Sequence, residues 1–468
     1  MGRLLNFLLV PLYTAIFAPE EYGVLSELMV VAAFAMVVLT YGVETAYFHF
    51  TNKDKNPENV LSTGFISLLT SSILFLFIAL HCSRSIAKLL HVPEHPNLIN
   101  WLIWVLFLDV LTTLPFANLR VNDKAWRFAF IRLTNIIVNI GLNLFFYLLC
   151  PYLIKQGVAL KLIGYIYDPG LGIGYIFISN LIASSVMLLL LTPEILKLNF
   201  VFDFKIWKKM ITYGFPLLIG GLAYVTNEMV DRLLLEYLLP ADTATAQVGI
   251  YSACYKIAIF MSLFVQAFRF GAEPFFFAQA KKTDAKELYA KVMRYFTAFT
   301  GFIFLAVCVF IDIIKNFIRD EAYHEGLGVV PILLLANLFL GMYYNMSVWY
   351  KVSEKTWFGA YLSLAGALIT IVLNLLLIPK ISYFGSAWAT LVCYFSMCLL
   401  SYLFSRRHYP IYYNWKYISF YLFLALGLFY LWHSWHDNHF IMSSLFCIIY
   451  IFSVVGLEKR KKISTFNL

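Results

Sequence analysis

The chain has 468 residues, 61% of them hydrophobic and only 13% charged, with a formal net charge of +9 and a mean hydropathy of +0.77. Soluble globular domains are nearer to about 45–50% apolar and about 25% charged, so this composition excludes one and describes a polytopic membrane protein. The positive charge does not indicate nucleic acid as a partner, because the basic residues are dispersed between apolar spans rather than gathered in one patch.

In chain order, the first apolar run is Leu4 to Phe17. It is short beside the roughly 20 residues that a spanning helix needs, and it leads into further spans rather than to a cleavage site. The chain is therefore expected to begin part-way into its first helix. Fourteen spans are expected, near 2–18, 24–47, 61–81, 99–121, 128–150, 171–193, 212–237, 247–271, 296–315, 328–350, 358–379, 384–405, 417–433 and 440–457. The connections are short and leave no room for a soluble catalytic domain. The seven cysteines lie mostly in apolar runs, with no CxxC or Cys/His spacing, so no disulfide framework and no metal site is expected. No GxxxxGK[ST] occurs, so ATP is not expected to be the direct energy source within this chain.

Loop charges sort by side. With the N-terminus in the cytoplasm, 23 Lys and Arg residues fall in cytoplasmic connections and only seven outside, a strong positive-inside bias. An even number of spans puts both termini in the cytoplasm. Five basic residues remain within or at the edges of spans: Arg3, Arg120, Arg232, Lys256 and Arg269. Arg120 can snorkel from the end of the fourth span, and Arg269 can pair with Glu273 one turn on. Arg3 can sit near the surface if the first helix starts there.

The seventh span is the most unusual. Tyr213 to Leu239 is long enough to cross a bilayer, yet it holds Asn227, Glu228, Asp231, Arg232 and Glu236. Each charge at membrane depth costs roughly 2.5–3.5 kcal/mol, so such groups face protein or water. Glu228 and Arg232, and likewise Asn227 and Asp231, are i,i+4 and able to meet on one helix. These pairs are read either as a packing salt bridge or as part of a transport site. Asp109, mid-way through the fourth span, is either a coupling carboxylate or a group hydrogen-bonded to Thr112 or Thr113. The 31 tyrosines and 44 phenylalanines mostly serve packing and interfacial belts, although Tyr224, Tyr251 and Tyr255 could stack on sugar rings.

The chain also resembles itself. Tyr22–Ser26 matches Val248–Ser252, Gly42–Phe48 matches Gly271–Phe277, Leu142–Leu144 matches Leu373–Leu375, and Gly174–Ser179 matches Gly385–Thr390. Every match is offset by six spans, an even number, so the halves are parallel repeats. The expected architecture is an all-α polytopic membrane protein of about fourteen transmembrane helices. Two parallel six-helix repeats surround a central cavity, with two extra C-terminal helices. Residues 1–193 form the first half, 194–209 a cytoplasmic linker, 210–405 the second half, and 406–468 the added pair with a basic tail.

Four stretches carry a family likeness: RLLNFLLVPLYTAIFAPEEYGVLSELMVVAAFAMVVLTYGVETAYFHF, VDRLLLEYLL, VGIYSACYKIAIF and LNLLLIPKISYFGSAWATL. Through them the chain resembles the polysaccharide-transport (Wzx-like) branch of the multidrug/oligosaccharidyl-lipid/polysaccharide exporter superfamily. Members usually carry further residues before the point where this sequence starts. The resemblance implies a flippase, not an enzyme. It would move undecaprenyl-pyrophosphate-linked oligosaccharide from the cytoplasmic to the outer leaflet of a bacterial inner membrane. The other expected partners are membrane lipids and glycan polymerase machinery, and a monomer is expected. Arg232, Lys256, Arg269 and Arg3 are the candidate diphosphate-binding residues, since guanidinium groups clamp phosphate bidentately and Lys adds a point charge. Glu228, Asp231, Glu44 and Glu273, with Asp109, are the candidates for charge balance or for coupling to a proton or sodium; no other cofactor is expected. The alternatives are a cation-coupled drug or metabolite exporter of the same superfamily, a membrane glycan polymerase, and a purely structural membrane protein.

Overall fold

The computed structural model describes residues 7–51, 56–157, 160–280, 282–434 and 440–466. Arg3 lies outside the described residues. Among them the regular structure is entirely helical, as an all-α polytopic membrane protein requires, because a helix satisfies its own backbone in hydrocarbon. The principal helices are α1 (Val10–Ile16), α2 (Pro19–Thr40), α3 (Val43–Thr51), α4 (Pro57–His81), α5 (Pro96–Val121), α6 (Ala125–Leu144) and α7 (Gly174–Ile195). They are followed by α8 (Phe204–Leu238), α9 (Ala244–Gln279), α10 (Ala285–Val309), α11 (Val330–Met346), α12 (Trp357–His408), α13 (Trp415–Ser434) and α14 (Phe440–Phe466). Proline opens α2, α4 and α5, where its missing N–H costs nothing.

Eleven of the described helices are long and apolar enough to cross a membrane. The difference of three from the fourteen expected has local explanations. The first lies partly outside the described residues. The seventh corresponds to α8, which carries five polar or charged residues between Asn227 and Glu236 and falls outside the eleven. The eleventh and twelfth run together as the 52-residue α12, whose helix is broken at Ile381 (φ −136°, ψ 20°) and Ser382 (φ 52°, ψ −138°).

The chain divides into two units, Met1–Leu9 with Ile16–Val225 and Val10–Ala15 with Thr226–Leu468, so the division falls inside α8. In the first unit α7 packs against α5 and α6, and Phe116, Leu119, Ile131, Met187 and Leu191 bury one another where these helices meet. The α2–α3 junction turns through Tyr41 (φ 32°) and Gly42 (φ 75°) and passes directly over α8. A Cβ on Gly42 would lie 2.7 Å from the Gly214 carbonyl oxygen, and one on Gly214 would lie 2.6 Å from that of Tyr41. The close helix crossing is therefore at Gly214. A Cβ on Gly221 would lie 3.0 Å from Val37, whereas one on Gly220 would meet no neighbouring helix or side chain within 4 Å.

In the second unit α11 packs on α9 and α12, and α10 packs on α13 and α14. The last two helices are tied to α10 by polar contacts as well as apolar ones. Tyr450 donates to the Ala298 carbonyl at 2.9 Å and Ser443 to that of Val309 at 2.8 Å.

Side-chain detail agrees with the internal repeat. Asn143 and Asn374, matched by their Leu-Asn-Leu setting, are both 0% exposed. Each donates to the carbonyl one turn back at 2.8 Å, Asn143 to Asn139 and Asn374 to Thr370. Shortly before the matched Gly174 and Gly385, each half has one left-handed residue: Gly172 (φ 47°, ψ −125°) and Ser382.

Candidate functional site

In the second unit the charged end of α8 packs against α9. Asp231 and Arg232 are 3% and 7% exposed. The Arg232 guanidinium lies 3.2 Å from Asp231 Oδ1 and donates to the Glu228 carbonyl at 3.1 Å. Tyr251 donates to the other Asp231 oxygen at 2.6 Å, and the Tyr255 ring lies under the guanidinium at 4.6 Å. The arrangement corrects the i,i+4 expectation. Arg232 takes its adjacent residue as carboxylate partner and meets Glu228 at the backbone. Asn227 does not pair with Asp231; it donates to the Ser363 carbonyl on α12 at 3.0 Å, with Thr370 donating to its Oδ1 at 3.4 Å. A buried arginine needs its charge countered close by, and Asp231 together with two aromatic faces does this. Tyr251, at 0% exposure, is committed to that cluster rather than open to a sugar.

The second constellation lies at the far end of α9. Glu273 Oε1 accepts from Arg269 Nε at 2.9 Å, as the helical spacing predicts, and from Lys351 Nζ at 2.5 Å. The Arg269 guanidinium also lies 4.7 Å from the centre of the Tyr344 ring. These side chains are accessible: Arg269 is 41% exposed, Glu273 34% and Lys351 23%. Lys256 is half-buried on the same helix. Thirteen residues separate it from Arg269, which places the two about 20 Å apart along the axis and about 140° apart around it. Helix geometry therefore does not gather Lys256 and Arg269 into one clamp.

The first unit holds the counterpart. Glu44, matched to Glu273 by the repeat, pairs with Arg120, which snorkelling alone does not describe. Counted on the fourteen expected spans, Arg120 stands at the end of the fourth (99–121) and Lys351 just past the end of the tenth (328–350), again six spans apart. Each half thus joins a carboxylate at the end of its second span to a cation at the end of its fourth. Around Arg120 lie Phe48 at 5.0 Å and Phe128 at 5.7 Å, and Arg132 lies over Phe116 at 4.2 Å. Asp109 accepts from Ser184 at 2.7 Å through its carboxylate, whereas Thr112 and Thr113 donate to its backbone carbonyl, which corrects their expected role. Arg132 is within electrostatic reach of Asp109.

Arg120, Arg132, Lys351 and Ser184 were not among the sequence candidates. The repeat carried the signal for two of them: a cation that pairs with Glu273 on the tenth span implies one that pairs with Glu44 on the fourth.

Known structures share this fold. The chain superposes on a structure of the lipid II flippase MurJ in an inward closed conformation with a TM-score of 0.76, at 16% identity over 98% of this chain and 97% of that one. An inward-facing multidrug resistance MATE family transporter of the MOP superfamily gives 0.70, at 12% identity over 86% and 94%. The Vibrio cholerae MATE transporter VcmN in its bent form gives 0.54, at 13% identity over 92% and 94%. No curated protein matches in sequence. The family profile described as polysaccharide biosynthesis protein matches residues 14–269, more than half of the chain. With that match over more than half of its length, the chain belongs to the polysaccharide biosynthesis protein family, and it has the fold seen in those transporter structures.

Proposed function

We propose that the chain flips an undecaprenyl-pyrophosphate-linked oligosaccharide from the cytoplasmic to the periplasmic leaflet of a bacterial inner membrane, by alternating access. The observation that carries this reading is the polysaccharide-biosynthesis family match on a transporter fold. In this reading the chain is a transporter rather than an enzyme, which the likeness of its fold to transporter structures supports. The physical task is to move a diphosphate whose charge cannot cross hydrocarbon unaided.

In this proposal the accessible ion pairs are where the diphosphate is received. Glu273 holds two cations, Arg269 and Lys351, and a diphosphate can take its place on both with shorter, charge-assisted hydrogen bonds. Glu44 and Arg120 do the same in the first half. Arg232, closed in by Asp231 and two tyrosines, holds α8 to α9, and it meets substrate only if Asp231 lets go. Lys256 provides a second level of positive charge on α9. A coupled proton or sodium acts on the carboxylates released by substrate, Glu273 and Glu44, with Glu228, Asp231 and Asp109 as further sites. Both termini lie in the cytoplasm, and the monomer works beside the glycan polymerase machinery.

The test is a deletion strain assayed for surface glycan and for lipid-linked repeat units in spheroplasts. Glycan should be lost, with intact repeat units trapped on the cytoplasmic leaflet. The wild-type chain should restore export and Arg269→Ala/Lys351→Ala should not. Normal glycan in the deletion strain refutes the reading. The MATE likeness favours one second reading, a cation-coupled exporter, which normal glycan with altered sensitivity to cationic compounds would support.

A further inference from the structure

Away from these ion pairs, the second unit contains a cavity of about 530 Å³, lined by charged as well as apolar side chains, where the first turns of α10, the α12–α13 connection and α14 meet. Asp284, Glu287, Lys291, Arg294, Tyr412 and Glu458 are among its lining residues. Arg294 is 5% exposed, and its Nη2 lies 2.8 Å from Glu458. Glu458 is held on its other oxygen by Tyr421 at 2.6 Å. The Arg294 Nε–H is buried and donates to nothing among the described residues. A guanidinium donor left unmatched at this depth is unfavourable unless a ligand or water receives it. Arg294 and Glu458 offset each other, leaving Lys291 and the exposed Asp284 and Glu287 at the mouth. Lys286 is turned away, over the Tyr409 ring at 4.7 Å.

The site is thus two-signed, with one more carboxylate than cation. A ligand carrying only negative charge would satisfy Arg294 and Lys291 but meet two uncompensated carboxylates. A ligand carrying phosphate and ammonium a few bonds apart satisfies both sets. The cavity also lies near the ends of helices long and apolar enough to cross a membrane, Ala285–Val309, Trp415–Ser434 and Phe440–Lys459, and spanning helices end where headgroups begin. We propose that this cavity binds a phosphate–ammonium zwitterion, the headgroup of phosphatidylethanolamine. Arg294 and Lys291 receive the phosphate, and Asp284 and Glu287 receive the ammonium. The site would fasten a bilayer lipid at the seam between the repeat and the two added helices.

The experiment is native mass spectrometry of the full chain, presented with equal amounts of phosphatidylethanolamine, phosphatidylcholine and phosphatidylglycerol. Phosphatidylethanolamine should be retained in preference to both, by about threefold or more if two exposed charge pairs are made. Asp284→Asn/Glu287→Gln, both at exposed positions, should erase that preference in favour of phosphatidylglycerol. Lys291→Gln should weaken retention of all three. Retention of phosphatidylglycerol above phosphatidylethanolamine by the wild-type chain, or a preference unchanged in the double variant, overturns the proposal. Soluble phosphoethanolamine is added as a separate arm. Displacement of the lipid by it only at high excess supports a lipid source, whereas displacement at concentrations equal to the lipid overturns the lipid assignment and points to a water-soluble zwitterion.

Discussion

Asp231→Asn tests how the buried charge in α8 is tolerated. Asp231 accepts from the Arg232 backbone N–H at 2.9 Å, from the Arg232 side chain at 3.2 Å and from Tyr251 at 2.6 Å. An asparagine can keep the first two on its amide oxygen. It presents N–H to Tyr251, however, and removes the negative charge beside a guanidinium that is only 9% exposed. Stripping one partner from a buried ion pair costs about 3–5 kcal/mol. The tyrosine faces return at most about 2 kcal/mol, and they already contribute in the wild type, so they do not offset the loss. We expect destabilisation near the lower end, about 3 kcal/mol, because the amide keeps two hydrogen bonds. The double variant Asp231→Asn/Arg232→Gln removes the stranded charge and should recover about 1–2 kcal/mol of that loss, the scale of coupling between touching residues. Unfolding of the purified chain in nanodiscs, followed by intrinsic fluorescence for all variants, measures both quantities. An Asp231→Asn midpoint equal to wild type, or a double variant no more stable than Asp231→Asn, would refute the reasoning.

Two further expectations follow from the backbone. Gly214→Ala places a Cβ 2.6 Å from the Tyr41 carbonyl oxygen and should destabilise by about 1–3 kcal/mol, whereas Gly220→Ala, with open space around it, should be neutral or gain about 0.5–1 kcal/mol. The same unfolding assay separates them, and equal effects would contradict the close crossing of α8 with the α2–α3 junction. Ser382 adopts a conformation that favours glycine and donates to Gln247, so Ser382→Gly exchanges relief of about 1–3 kcal/mol of strain for a hydrogen bond worth about 1 kcal/mol. The variant should be at least as stable as wild type, and its counterpart Gly172→Ser should be less stable. A clear loss at Ser382→Gly, measured by thermal unfolding, would show that the hydroxyl outweighs the backbone.

The sequence by itself determined the membrane class and the all-helical fold, because both depend on quantities that accumulate along the chain: apolar length and the low content of charge. It also contained the Arg269–Glu273 pair, because four residues on one helix share a face whatever surrounds them. The same rule failed at Glu228 and Arg232 because the neighbouring helices supplied better partners, with Tyr251 and Tyr255 from α9 favouring Asp231 as the counter-ion. Contacts between helices depend on depth and rotation, which no spacing along one helix reveals. Only the tertiary structure placed Ser184 on Asp109, Arg120 on Glu44, Lys351 on Glu273 and Glu458 on Arg294. The last of these pairs joins residues 164 positions apart, and packing alone brings a carboxylate near the end of the chain to an arginine on α10.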